Sequence, residues 1–232
     1  MQDLHPIQIE ILKRLMYAGG LRHKMIKPNA LMENSQFAFH INKLIIEGLV
    51  EKAETIYKLT DTGKEFANRM DISTKQFKEF PKITTMLCGL RDIGDKQEVL
   101  VYTRKKNPFY ECQGFPTQKV LFGNNIADVA KVGFTDETSL RGEPIFEGIR
   151  HYRVYVNNID LVEDKIMYIF IFKDPEGELK GCKEGDYFWA ATTQLKEMVK
   201  NPLPEFQESL DIITSFNGNI TFKEYNIFTN KF

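Results

Sequence analysis

Two acidic side chains near the end of the stretch GFPTQKVLFGNNIADVAKVGFTDETSL, residues 114–140, could bind a divalent cation. A hard cation such as Mg²⁺ or Mn²⁺ takes several oxygen ligands, and carboxylates one helical turn apart supply them from a single face. Asp136 and Glu137 are adjacent instead, so their side chains diverge by about 100° on the predicted helix. The alternatives are a weak metal pair and an ordinary solvated helix end, and the spacing favours the second.

A second group of polar side chains, near the N-terminus, could contact DNA. Gln36, His40 and Lys43 fall at i, i+4 and i+7 of a predicted helix, so we expect them on one face, opposite its apolar stripe. Gln and Lys can bind base edges, and His can donate to a phosphate or a base. Lys52 and Lys58 lie in a predicted hairpin and could neutralise phosphates. The first seventy residues hold ten Lys and Arg against eight Asp and Glu, a small excess for DNA binding.

The elements predicted over residues 1–72 would position these side chains. Helical periodicity predicts a helix from Pro6, a short second segment, and a third helix over NSQFAFHINKLIIEGL with an apolar stripe of Ala38, Ile41 and Ile45. A hairpin over LVEKAETIYKLT and a helix over TDTGKEFANRM follow. The stretches FHINKLIIEGLVEK and YKLTDTGKEFAN resemble the winged helix-turn-helix domains of regulators. That resemblance implies a helix in the major groove, with the hairpin on the DNA backbone. Winged helices also serve as protein-interaction or dimerisation modules, and both roles stay open.

The segment over residues 71–80 loses regular periodicity, and we predict a domain boundary there. Residues 80–232 then change to short strand patterns with one early helix and two late ones. This order predicts a mixed α+β domain rather than a doubly wound parallel sheet.

The order of elements in residues 80–220 is similar to that of the Nudix hydrolase family. GFP at residues 114–116 precedes a segment of the right length for the family's signature box, and GDYFWAATTQLKEM at residues 185–198 looks like its late strand and helix. The signature is Gly, five residues, Glu, seven residues, then Arg-Glu-apolar-x-Glu-Glu-x-Gly-apolar. Its Glu residues bind Mg²⁺ or Mn²⁺ against a pyrophosphate, and its Arg holds a carboxylate in place. The resemblance implies an α/β/α sandwich with a mixed sheet, so the fold class of the chain is predicted as α+β.

Aligned without gaps, residues 118–140 keep the length of the box and lose most of its chemistry. The signature Arg falls on Val132 and the Glu beside it on Gly133, while the Glu pair becomes Asp136 and Glu137. Two of four acidic positions therefore remain acidic, and residual metal binding would depend on them. We refer to residues 118–140 as the degenerate box. Its candidate positions are Gln118, Asn124, Val132, Gly133, Asp136, Glu137 and Ser139.

Composition excludes some classes of function. A formal net charge of -1 argues against general binding of polyanions, so any contact with DNA must come from a local patch. Cys88, Cys112 and Cys182 match no zinc spacing, and an odd number cannot all pair. The longest apolar run has the length of a strand, so we expect no membrane span. We expect a cytoplasmic protein.

Three functions are consistent with these features of the sequence. The first is a DNA-binding transcriptional regulator, active as a homodimer, whose catalytically impaired Nudix-like domain senses a nucleoside diphosphate-type molecule. The second is a divergent pyrophosphohydrolase, which alone would require Mg²⁺ or Mn²⁺ as a cofactor. The third is a non-catalytic module that binds protein. The missing Arg and the two missing acids favour a protein without hydrolase activity.

Overall fold

The computed structural model describes residues 4–68, 80–214 and 218–230, and the chain divides into two compact units, Met1–Glu79 and Phe80–Phe232. The boundary predicted at residues 71–80 lies outside the described residues, except for residue 80. Each unit has its own hydrophobic core.

The N-terminal unit combines helices with a small antiparallel sheet. Its first helix begins under a capping box, in which His5 Nδ1 accepts the Ile7 N–H at 3.2 Å and Gln8 Oε1 accepts the His5 N–H at 2.9 Å. The elements are α1 Pro6–Met16, β1 Leu21–Arg22, α2 His23–Ile26, α3 Asn34–Ile46, β2 Val50–Ala53, β3 Ile56–Leu59 and α4 Asp61–Asn68. The strands pair in the order β1-β3-β2.

The buried face of α3 differs from the predicted apolar stripe. Phe37, His40, Ile41 and Leu44 are buried, whereas Ala38 is exposed. Helical spacing allows either stripe, and the larger side chains of Phe37 and Leu44 remove more apolar surface from water than an alanine does. The helix is therefore rotated relative to the prediction.

The second unit is built on a mixed sheet. Its elements are β4 Lys82–Ile93, β5 Lys96–Arg104, β6 Gln113–Gly114, β7 Thr117–Lys119, α5 Ile126–Thr138, β8 Ile145–Val156, β9 Asp160–Lys173, β10 Gly185–Ala191, α6 Leu195–Met198, α7 Phe206–Thr214 and β11 Thr221–Thr229. The main strand order is β10-β5-β4-β9-β8-β11, while β6 pairs with β5 and β7 pairs with β4. Strand β9 is parallel to β4, and β11 is parallel to β8.

The central strands bury both of their faces, because alternate side chains enter two separate cores. Leu87 and Phe170 pack in the core that contains Phe134 of α5. Met86 and Ile169, their chain neighbours, pack in the core that contains residues of α6 and α7. Helices therefore cover both sheet faces, and α5 carries the degenerate box against one of them.

Candidate functional site

Helix α5 begins and ends as a well-capped helix. Asn125 Oδ1 accepts the N–H groups of Ala127 at 3.0 Å and Asp128 at 3.3 Å. At the other end Ser139 has a left-handed backbone, φ 62°, and donates its N–H to the Thr135 carbonyl. A left-handed residue at this position is commonly Gly, which is what the signature has there. The box therefore keeps its backbone form where its residue type has changed.

Glu137 faces a cleft and already accepts hydrogen bonds. Its Oε2 accepts from the Tyr187 hydroxyl and from Cys182 Sγ at 3.1 Å. Burial raises the pKa of Tyr187, and the bond to Glu137 raises it further, so the hydroxyl keeps its proton. Asp136, the adjacent acid, is exposed and does not line that cleft. The two acids do not converge.

These side chains do not fit a divalent metal centre. Among the described residues, no group of three or more His, Cys, Asp or Glu side chains is arranged to hold a metal ion. Mg²⁺ needs several oxygen ligands in close octahedral geometry, and the Glu137 Oε2 atom already accepts from a hydroxyl and a thiol. No catalytic step through Mg²⁺ or Mn²⁺ follows from this arrangement.

The side chain of Gln118 lies close to the backbone of Gly133, and both are altered box positions. A Cβ atom added to Gly133 would lie 3.0 Å from Gln118 Cγ and 3.1 Å from Gln118 Cβ. The side chain of Gln118, on β7, therefore fills the volume beside the helix where the signature has a Glu. The remaining altered positions, Asn124 and Val132, are exposed.

The cleft beside Glu137 has a volume of about 530 Å³. Lys82 and Thr84 of β4 and Lys165 of β9 share one sheet face, because alternate residues line it and Lys82 pairs in register with Lys165. The walls come from the turn after β5, from residues 116–119, from α5 and from Leu203 and Glu205, which precede α7. The site is thus formed by elements that are distant in sequence.

A buried ionic network lies inside the cleft. Lys165 Nζ donates to Glu205 Oε1 at 2.6 Å and to Glu163 Oε2 at 2.9 Å, and Lys82 Nζ lies 3.6 Å from Glu163 Oε1. Burial lowers the pKa of Lys165, but the two carboxylates raise it by more, so the net shift is upward. Lys165 is therefore charged and compensated by its two acidic partners.

Other basic side chains lie at the rim of the cleft. Arg104 donates to the Pro108 carbonyl at 2.6 Å, and Lys106 forms an ion pair with Glu184. Burial lowers the pKa of Lys106, and the charges of Arg104 and Lys119 lower it further, while Glu137 and Cys182 raise it by less than the total lowering. Several basic side chains at one cleft are a favourable environment for an anionic group.

The residues predicted to contact DNA separate into two classes. Gln36, Lys43, Lys52 and Lys58 are exposed. His40 is buried instead, with 7% of its surface exposed, and its ring stacks on His5 at a centroid distance of 4.4 Å. Burial lowers the pKa of His40, with smaller contributions from His5 and Lys43. The prediction that His40 lies on the exposed face of α3 is wrong, because the buried stripe is rotated toward it.

The exposed face of α3 also carries apolar side chains. Phe39 is 66% exposed and Ile46 is 85% exposed, seven residues apart on the same face. In the hairpin, Lys52 Nζ lies 5.5 Å from the centre of the Tyr57 ring, and Lys58 pairs in register with Glu51. The sequence prediction counted the charges of this surface and missed its apolar part.

Sequence reasoning also missed the cleft residues Thr84, Lys165 and Glu205. One signal was present, since Lys165 precedes the apolar run IMYIFIF and enters a strand that buries its neighbours. A lysine in such a strand needs a buried partner. Nothing in the spacing identifies Glu205, which is forty residues further along the chain.

Comparison with known proteins shows a likeness of fold. The chain is similar to a MutT protein from Bacillus halodurans, with 18% sequence identity and a TM-score of 0.50, over 62% of this chain and 89% of that chain. It is also similar to the NUDIX domain of Shewanella oneidensis NrtR, solved with ADP ribose, with 10% identity and a TM-score of 0.51, over 67% and 97% of the two chains. No family model and no curated protein matches the chain. The chain therefore contains a Nudix-like fold, which the mixed sheet of the second unit fits.

In the part of the chain that the structure describes, no helix is long and apolar enough to cross a membrane.

Proposed function

We propose that this protein is a cytoplasmic transcriptional regulator, in which residues 1–72 bind DNA and residues 80–232 sense a nucleotide-type ligand. The observation that carries the proposal is the state of the site: an open cleft of about 530 Å³ beside a box carboxylate, Glu137, that is engaged by Tyr187. A cleft kept open without a metal-binding group is suited to binding a ligand without cleaving it.

The form of the N-terminal unit supports the DNA-binding part of the proposal. Helices followed by a hairpin and a further helix are the element order of a winged helix. Gln36 and Lys43 of α3 and Lys52 of the hairpin are exposed, as a contact with bases and phosphates requires. Winged-helix readers usually bind paired half-sites, so we propose a homodimer.

The class of ligand is proposed from the cleft and from one structural neighbour. The NrtR domain with a similar fold was solved with ADP ribose. The cleft here combines rim cations with a buried polar network, which suits the anionic and the hydroxylated parts of such a molecule. We therefore propose a nucleoside diphosphate derivative as the effector.

A mobility-shift assay with the gene's own upstream region, at low salt, tests the function. We expect a retarded complex whose affinity changes when ADP-ribose is added, because a ligand that prefers one conformation shifts the equilibrium toward it. Lys43→Ala should weaken the complex, whereas Lys196→Ala, an exposed lysine of α6, serves as the matched control. A protein that gives no shift at low salt, with or without ligand, is not a DNA-binding regulator of this kind.

A second candidate, a protein-interaction module, is favoured by the exposed apolar side chains of α3. Phe39 and Ile46 present apolar surface on the face that would otherwise enter the major groove. Phe39→Ser separates the two candidates. If the unit binds a protein, this change abolishes capture of the partner. If it binds DNA, the retarded complex persists and loses at most the apolar contact.

A further inference from the structure

Strand β11, Thr221–Thr229, lies at one end of the main sheet. It pairs with β8 on one side, and no described strand pairs with its other side. The free side presents backbone N–H and C=O groups along a strand of nine residues. Such an edge is a template on which another extended segment can add to the sheet.

Few of the features that usually protect a free edge are present in β11. Those features are proline, a β-bulge, several lysines and a short strand. Strand β11 contains no proline, pairs with β8 in unbroken register and has one lysine, Lys223. It also carries two large apolar side chains in solvent, since Phe222 is 61% exposed and Phe228 is 58% exposed. Exposed aromatic surface beside unpaired backbone marks an interaction site.

The two faces of β11 differ in environment. Tyr225 stacks on Tyr152 of β8 at a centroid distance of 5.4 Å, and Ile227 is buried in the core that contains residues of α7. The alternate residues lie on the opposite face, where all four are exposed. We call this the outer face of β11, and it consists of Phe222, Glu224, Asn226 and Phe228.

A second copy of β11 complements this edge in one antiparallel register. A two-fold axis perpendicular to the sheet keeps both outer faces on the same side, so the axis must pass through a residue. With the axis at Tyr225, Phe222 lies opposite Phe228 of the second copy, and Glu224 lies opposite Asn226. Each pair occurs twice by symmetry. Opposed aromatic side chains stabilise a strand pair, and an amide N–H can donate to a carboxylate.

The neighbouring registers are unfavourable. An axis at Glu224 brings two carboxylates opposite each other, and an axis at Lys223 does the same with two ammonium groups. Like charges directly opposite destabilise a strand pair. An axis at Asn226 places Glu224 opposite Phe228, which cannot hydrogen-bond to it, and removes Phe222 from the aromatic pairs. Charge and side-chain type therefore favour the register centred on Tyr225.

Contacts with β8 hold two side chains of the outer face in place. Phe228 stacks on Tyr155 at a centroid distance of 5.4 Å. Glu224 Oε1 lies 2.8 Å from His151 Nδ1, and 49% of the glutamate side chain remains exposed. Side chains that are already ordered lose less conformational entropy when a partner binds.

We propose that β11 is the interface of a homodimer, in which two copies of the chain pair antiparallel about Tyr225 and join their sheets into one. The partner is a second copy because the outer face of β11 complements itself when its direction is reversed. This inference goes beyond the proposed function, since it assigns an interface whether or not the protein binds DNA.

Sedimentation equilibrium of the full chain measures the dissociation constant of the dimer. Asn226→Glu should raise it about tenfold or more, because two carboxylates then lie opposite each other at two symmetric positions. Asn226→Lys should lower it several-fold, because each new ammonium group lies opposite Glu224 of the other copy. Phe222→Ser should raise it about tenfold, since two aromatic pairs are lost. Phe80→Ser, at a phenylalanine outside β11 that is 63% exposed, is the matched control and should leave it unchanged.

Opposite effects of the two charges at position 226 are specific to this register. If Asn226→Glu and Asn226→Lys weaken the dimer equally, the register centred on Tyr225 is wrong. If neither they nor Phe222→Ser change the dissociation constant, the dimer forms through another surface. A native chain that stays monomeric, or that uses β11 to bind a different protein, also overturns the inference. Circular dichroism checks the folding of each variant, and if Phe222→Ser does not fold, the two variants at position 226 decide.

The proposed regulator and this interface can fail separately. A dimer with the expected variant pattern, in a protein that retards no DNA, retains the interface and rejects the regulator. A retarded complex whose dimer does not respond to the variants of β11 does the reverse.

Discussion

At the scale of single residues, the hydroxyl of Tyr187 determines what Glu137 can do. A carboxylate that acts as a metal ligand or a base must have a free oxygen toward its substrate, and the Glu137 Oε2 atom accepts from Tyr187 and Cys182. The tyrosine pKa is raised by burial and by that bond, so the hydroxyl remains a donor at neutral pH. The Glu137 Oε2 atom is therefore engaged by two neighbouring side chains.

We therefore expect no hydrolysis of nucleoside diphosphate derivatives by the native protein. A panel of such compounds with Mg²⁺ or Mn²⁺, followed by phosphate or nucleotide release, should give rates equal to those without protein. Millimolar Mg²⁺ should not raise the melting temperature, since a ligand stabilises a protein only when it binds the folded state. Release of product that disappears in Glu137→Gln would instead identify a divergent hydrolase.

Some residue positions could be predicted from the sequence, and others could not. The divergence of Asp136 and Glu137 follows from helix geometry alone, and their placement agrees with it. The burial of His40 could not be predicted, because two apolar stripes on α3 satisfy the same periodicity and only packing selects one. The ion pair of Lys165 and Glu205 is a tertiary contact between β9 and the turn before α7, which local spacing does not encode.

At the scale of elements, the contact between α5 and β7 explains two box positions together. The side chain of Gln118 approaches the backbone at Gly133 so closely that a Cβ there would lie within 3.1 Å of two of its carbon atoms. A Glu at position 133 needs a small residue at position 118, which is the arrangement of the Nudix signature. We therefore expect the two departures from the signature to depend on each other.

A double-mutant cycle between these elements should show that dependence. Gly133→Ala should gain close to 1 kcal/mol of helix propensity in a Gln118→Gly background, because the space beside the helix is then empty. In the native background, Gly133→Ala should stabilise the protein by less than this, or should destabilise it. Urea unfolding of the native protein, the two single variants and the double variant gives the coupling free energy, which we expect at roughly 0.5–1.5 kcal/mol. Additive effects would show that Gln118 moves aside without cost.

His151 links β8 to both of its neighbouring strands through side-chain hydrogen bonds. His151 of β8 contacts Asp164 of β9 at 2.7 Å and Glu224 of β11 at 2.8 Å. Burial lowers the pKa of His151 and Arg153 lowers it slightly, but the two carboxylates raise it by more, so the net shift is upward. A raised pKa means that the charged imidazole stabilises the folded state.

The stability that the charged His151 contributes should be fully present below its unfolded-state pKa of about 6.5. It should be lost as the pH rises through the higher pKa that His151 has in the folded protein. His151→Gln should therefore destabilise the protein most near pH 5.5, by roughly 0.5–1 kcal/mol, since both carboxylate partners are partly exposed. The difference between variant and native protein should shrink toward pH 8. Chemical unfolding across this range measures it, and a difference that grows with pH contradicts the shift.

At the scale of the whole molecule, the sequence identified the kinds of elements more readily than their roles. Local sequence patterns predicted α3 and the hairpin after it, because each has strong local patterning. The cleft is lined by residues of β4, β5 and β9 and of the turn before α7, so it exists only once the sheet has formed. Chemistry assembled from distant segments is visible in the fold and not in the spacing of residues.

In the intact chain, the salt dependence of DNA binding reports the phosphate contacts of residues 1–72, and ADP-ribose is expected to change the affinity for DNA. Each phosphate contact that is lost should reduce the slope of log affinity against log salt by about 0.9. Lys52→Ala and Lys58→Ala, in the hairpin expected on the DNA backbone, should each reduce it by that amount, and Lys196→Ala should leave it unchanged. His40→Gln should leave the slope unchanged too, because His40 is buried and stacked on His5.

By linkage, the factor by which ADP-ribose changes DNA affinity must equal the factor by which DNA changes ADP-ribose affinity. Fluorescence anisotropy with labelled DNA and calorimetry with ADP-ribose measure the two factors independently. A reduced slope in Lys196→Ala as large as in Lys52→Ala would mean that the DNA contact is non-specific.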